Sequence, residues 1–77
     1  MPKFRVINDS ENQTELEVEP CAFSEVLLPK DEVIIDYVEP AEFDFYIGNK
    51  GVLIDIVSEK IIFTTKEGSS EFRIPLK

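Results

Sequence analysis

Thr14-Glu15-Leu16-Glu17-Val18-Glu19 alternates apolar and acidic side chains without a break once Thr14 has opened it. A period of two sends Leu16 and Val18 to one side of an extended chain and the three glutamates to the other, roughly 6.8 Å apart. Such a segment is a strand with one face buried and one face wet. The same alternation precedes it at Phe4 and Val6 and returns at Phe72, Ile74 and Leu76. Between the apolar runs stand turn-forming clusters: 9–13, 29–31, 39–41, 48–51, 58–60 and 67–70. The runs they separate predict strands near 3–8, 14–19, 22–28, 32–38, 42–47, 52–57, 60–66 and 71–76. Regular short strands divided by turns predict an all-β fold, a small antiparallel β-sandwich or flattened barrel of seven to eight strands.

One segment competes as a helix, with Phe23, Val26 and Leu27 spaced i, i+3, i+4. Pro20 and Pro29 bracket it and leave barely two turns, so it reads as a strand or irregular edge. Gly48-Asn49-Lys50-Gly51 and Gly68-Ser69-Ser70 read as hairpin turns, which makes the second half a meander of successive hairpins. The larger inward members of the alternation give the expected core: Leu16, Val18, Val33, Ile35, Phe43, Phe45, Ile54, Phe63, Phe72 and Ile74. Val52-Leu53-Ile54 and Ile61-Ile62-Phe63 are apolar on both faces. Leu53, Val57 and Ile62 are then surplus on the wet side, where either a loop covers them or a second copy meets them as a homodimer contact.

Seventy-seven residues make a single domain, 1–77, with 27 Val, Ile, Leu and Phe side chains available for a core. Cys21 is the only cysteine, so no internal disulfide and no thiolate metal site can form within one chain. The start at Met1 has no basic-then-apolar leader, and no apolar run approaches the length of a membrane span. A reduced, cytoplasmic setting is the expectation. The net charge is −8. Between Asp9 and Asp44 twelve carboxylates accompany one base, Lys30. That field repels nucleic acid and anionic membrane and attracts basic protein surfaces.

The residues that carry common chemistries are missing. There is no histidine, which removes Ser-His-Asp and Cys-His nucleophiles and imidazole metal sites. The three glycines are scattered over turns and form no phosphate loop. Carboxylates around Cys21 raise its pKa and dull it as a nucleophile. Asn8 to Asn12 offers hard oxygens in one loop, but the spacing is not that of an EF-hand. No catalytic residue, metal ligand or cofactor site is expected, and the chain reads as not an enzyme.

Asn8-x-Ser10, Leu16-x-Val18-Glu19-Pro20 and Leu28-Pro29 followed by Asp31-Glu32-Val33 resemble the opening of small uncharacterised bacterial β-sandwich proteins. In those, one strand ends in Asn-x-Ser/Thr, the next in Glu-Pro, and a third is entered through a proline turn. The resemblance spans about residues 6–35. It implies immunoglobulin-like strand and turn grammar, and no particular activity.

The expected role is that of a small acidic binding module acting through protein–protein contacts, with Glu15, Glu17 and Glu19 as an acidic stripe. The alternatives are an acidic inhibitor or immunity-type protein covering a basic site, and a cation- or carbohydrate-binding accessory module. The expected partner is a basic protein, with a homodimer through Leu53, Val57 and Ile62 as a further expectation.

Overall fold

The computed structural model describes residues 1–73. Among them are eight strands and no helix: β1 (Lys3–Ile7), β2 (Thr14–Glu19), β3 (Phe23–Leu27), β4 (Glu32–Tyr37), β5 (Glu42–Ile47), β6 (Gly51–Val57), β7 (Lys60–Thr65) and β8 (Gly68–Arg73). The alternation therefore marks each strand to within a few residues, with the largest shift at β8, where Gly68-Ser69-Ser70, expected as a turn, opens the strand and the chain reverses at Lys66-Glu67 instead. The ambiguous 23–27 segment is β3, its Ser24 and Val26 exposed and its Leu27 buried.

The strands form two packed four-stranded sheets, a sandwich and not a closed barrel. The first sheet has the order β1-β4-β7-β8 and the second β3-β2-β6-β5. This is not the A-B-E-D and C-F-G order of an immunoglobulin domain, because here the second and third strands share a sheet. Hairpins join β2 to β3, β5 to β6 and β7 to β8.

Two expectations are corrected. The sandwich is not wholly antiparallel, since β2 and β6 run parallel, with Glu15 opposite Gly51 and Glu19 opposite Asp55. The late strands are also no continuous meander. The link at Ser58-Glu59 carries the chain from one sheet to the other, so β6 and β7 are not hydrogen-bonded neighbours. Ser58 secures that crossing from a fully buried position. Its hydroxyl donates to the Val38 carbonyl at 2.7 Å and accepts from the Val38 and Lys60 N–H groups at 3.2 and 3.4 Å.

The core lies between the sheets and comprises Leu16, Val18, Leu27, Val33, Ile35, Ile54, Ile56, Ile61 and Phe63. Six of these were expected. Leu27, Ile56 and Ile61 extend the inward phases of their own strands. Phe43 and Phe72 are half-buried against this core. Phe45 is not a core residue, with 58 % of its surface exposed. It has the inward phase, but β5 is an edge strand; from the facing sheet the Phe4 ring meets it edge-on, the centroids 6.2 Å apart. Ile74 and Leu76 lie outside the described residues.

The two ends of the sandwich are closed differently. Phe23 stacks on Phe63 at 4.0 Å, with the rings 5° from parallel. At the β1 and β5 edges, Phe4 meets Phe43 edge-on at 5.5 Å, and Tyr37 meets Phe43 at 4.9 Å. Asn8 is a structural keystone of the first turn. It is buried, and its Nδ2 donates to the Asn12 and Leu27 carbonyls, each at 2.8 Å, while Oδ1 accepts from the Ser10 backbone and hydroxyl. Leu28-Pro29-Lys30-Asp31 closes as a turn with Asp31 N–H on the Leu28 carbonyl. Lys30 takes the positive φ, 73°, that the third position of a type II turn requires.

Candidate functional site: an acidic sheet face

Strand register determines which side chains meet on a face, because directly paired residues point the same way. On the outer face of the second sheet the register builds successive rows. Val26, Glu15 and Gly51 form one row, and Ser24, Glu17, Leu53 and Tyr46 the next. Glu19, Asp55 and Asp44 follow, and then Val57 opposite Glu42. These strand rows thus carry six carboxylates and no base, with apolar Leu53, Tyr46, Val57 and Val26 between them; the nearest base is Lys50 in the 48–51 turn at their margin.

Glu15, Glu17 and Glu19 are exposed along β2, as an acidic stripe requires. The structure brings Glu42, Asp44 and Asp55 to them from two further strands. Each of these acids stands on the outward phase of its own strand, but nothing in the sequence assigns the three strands to the same sheet. Tyr46, 53 % exposed, joins Leu53 across the β5–β6 pair. Beside them a surface depression of ≈ 330 Å³ runs under the 48–51 turn, lined by residues that include Glu15, Glu17, Tyr46, Lys50 and Leu53.

The apolar group expected at the wet surface is divided. Leu53 and Val57 lie on the outer face of the second sheet, whereas Ile62 lies on the outer face of the first, in the row Lys3, Asp36, Ile62, Glu71. The sandwich stands between them, because the Ser58-Glu59 link crosses from one sheet to the other. These three residues do not make one contact patch.

The outer face of the first sheet differs in kind. Lys3, Arg5, Lys60 and Arg73 share it with Glu32, Asp36 and Glu71. Arg5 lies 3.8 Å from Glu32, Lys60 lies 3.8 Å from Glu71, and Arg73 Nε donates to Glu71 at 2.6 Å. The Arg73 guanidinium holds the Glu71 carboxyl below its usual range. Asp31 is held down likewise, by the Lys66 ammonium at 3.0 Å and the Leu28 N–H at 3.1 Å.

Cys21 is half-buried, and burial, with Glu19 adding to it, pushes its thiol up to about 11. The thiolate fraction at neutral pH is negligible, so the group is a poor nucleophile. Burial contributes more to this than the neighbouring carboxylates. Among the described residues no three His, Cys, Asp or Glu side chains are grouped to hold a metal ion, and no helix is long and apolar enough to cross a membrane.

No family model matches the chain, and neither a curated protein nor a solved structure matches it.

Proposed function

We propose that this chain is a small non-catalytic binding module that engages a basic protein surface through the outer face of its second sheet. The observation that carries the reading is the six carboxylates gathered from β2, β6 and β5 with no base among them, interleaved with Leu53, Tyr46 and Val57. Charge alone supplies steering and solubility. Charge combined with exposed aromatic and aliphatic surface supplies contacts that are retained after encounter. An inhibitor covering a basic active site is the specialised form of the same reading. A cytoplasmic setting suits a chain whose single thiol has no disulfide partner of its own.

The test begins with a partner captured from the native host on the immobilised chain. Its association rate should then fall as salt rises from about 0.01 M to about 0.1 M, where the screening length shortens from about 30 Å to about 10 Å. Converting Glu15, Glu17 and Glu19 together to Gln should slow association at low salt and flatten that dependence. A rate indifferent to both changes removes this face from the interface.

A further inference from the structure

The depression beside Tyr46 owes its shape to two glycines. The Gly48 N–H donates to the Gly51 carbonyl at 2.9 Å, which extends the β5–β6 register by one pair beyond Ile47 and Val52. Gly48 therefore completes the row that holds Glu15 and Gly51, and its places on β5 and β6 have no side chain. The neighbouring row, Glu17, Leu53 and Tyr46, is filled. The step from the filled row down to the bare one is the depression of ≈ 330 Å³. A Cβ added at Gly48 would meet no atom within 4 Å, so the space above that residue is open.

The walls differ in chemistry. Glu15 and Glu17 stand on one side, exposed and roughly 6.8 Å apart along β2. Tyr46 stands on the other, two strand spacings or roughly 9.6 Å from β2. Half-buried Leu53 lies between them. Among the described residues neither glutamate makes an ion pair. Of the described residues that line the depression, Lys50 is the one base, so two acids leave one negative charge over. Glu19, Asp55 and Asp44, in the row on the far side of Leu53, add to that field.

We propose that this depression receives an arginine side chain of the partner, an inference that rests on the reading of this face as the docking surface for a basic protein. Charge complementarity and shape select the occupant together. The guanidinium plane stacks on the Tyr46 ring while its N–H fork donates to Glu17 or Glu15, and the aliphatic stem lies on Leu53. A head group midway between the walls is within the about 6 Å over which a ring face attracts a cation. Lysine suits the site less, because its compact, strongly hydrated ammonium neither stacks nor bridges a carboxylate in a fork. The volume lies at the low end of the about 300–1,000 Å³ typical of ligand sites, room for one long side chain rather than for a folded surface.

The test is a titration of the full chain with a blocked pentapeptide that carries one arginine among glycines, and with its lysine and citrulline counterparts. Backbone-amide and Tyr46 ring NMR shifts report where each peptide sits. The arginine peptide should shift Gly48, Gly51, Leu53 and Tyr46 together and saturate on the order of a millimolar. The lysine peptide should bind about two- to fivefold more weakly, and the neutral citrulline peptide should not saturate. Gly48→Leu fills the open space without altering any charge, and should abolish the local shifts with the far-ultraviolet circular dichroism unchanged. Tyr46→Leu, on an exposed side chain, should weaken the arginine peptide about two- to fivefold and remove its advantage over lysine.

The absence of local shifts up to about 20 mM arginine peptide overturns the proposal. Equal binding of the arginine and lysine peptides overturns it too, as does a folded Gly48→Leu chain that binds as the wild type does. Shifts spread evenly along β2, β6 and β5 overturn the depression but leave the acidic face as a docking surface. The two readings therefore fail on different measurements, one on where the peptide shifts fall and the other on the salt dependence of a partner's association rate.

Discussion

The two sheets share an architecture and differ in how they treat their charges and edges. On the first, acids and bases alternate across neighbouring strands and are joined by Arg5–Glu32, Lys60–Glu71 and Arg73–Glu71. Its central strands β4 and β7 bury Val33, Ile35, Ile61 and Phe63 almost completely. On the second, β2 and β6 bury Leu16, Val18, Ile54 and Ile56 equally well, but the strands of the outer face gather six acids that make no ion pair among the described residues, and β5 leaves aromatic surface open. Surface ion pairs contribute little to stability. The contrast therefore concerns what each surface can meet: the first face is internally compensated, and the second is not.

The largest expected effect tests the joint within the second sheet. A Cβ added at Gly51 would fall on the Glu15 carbonyl oxygen, where β2 and β6 run parallel. Gly51→Ala should cost about 3 kcal/mol or more in chemical denaturation, since backbone rather than a movable side chain must give way. Near wild-type stability would mean that β2 and β6 can part there freely.

Next comes the contrast between a covered and an uncovered inward residue. Ile61→Ala in the first sheet should cost about 2–5 kcal/mol. Phe45→Ala in the second should cost about 1 kcal/mol, the value of its ring contacts with Phe4 and Phe43. Equal costs for the two would show that β5 is as well covered as β7.

The smallest effects concern the outer faces, and they differ in sign. Glu71→Gln removes the partner of Lys60 and Arg73 and should lower the melting temperature slightly at low salt. Glu17→Gln removes one of several unpaired acids and should raise it slightly, and moderate salt should shrink both shifts. Acid titration refines the first of these. Glu71 has a depressed folded pKa, so the stability it contributes is present above its unfolded value near 4.5 and is lost as pH falls through the folded value. The wild type should therefore lose its advantage over Glu71→Gln below about pH 4, a window set by that unfolded carboxylate value. An advantage that persisted to lower pH without change would show that the Arg73 contact does not form in solution.

The sequence alone determined that eight strands form and which faces they present, but not every bound: Gly68-Ser69-Ser70 reads as a turn and instead opens β8. Alternation is a local property, visible at Leu16 and Val18 or at Ile54 and Ile56, and turn residues reverse the chain wherever they occur. It also placed Glu15, Glu17 and Glu19 together, because they share one strand. Only the tertiary structure decided which strands became neighbours. A turn such as Ser58-Glu59 reverses the chain whether the next strand pairs with the last or crosses to the other sheet, and no residue in it distinguishes the two. That choice separated Ile62 from Leu53 and Val57 and brought Asp44 and Asp55 beside Glu19. It also left Phe45 at an edge with an inward phase and little above it. Pairing between distant strands is set by the total burial of both sheets, and that sum exists only once the chain has folded.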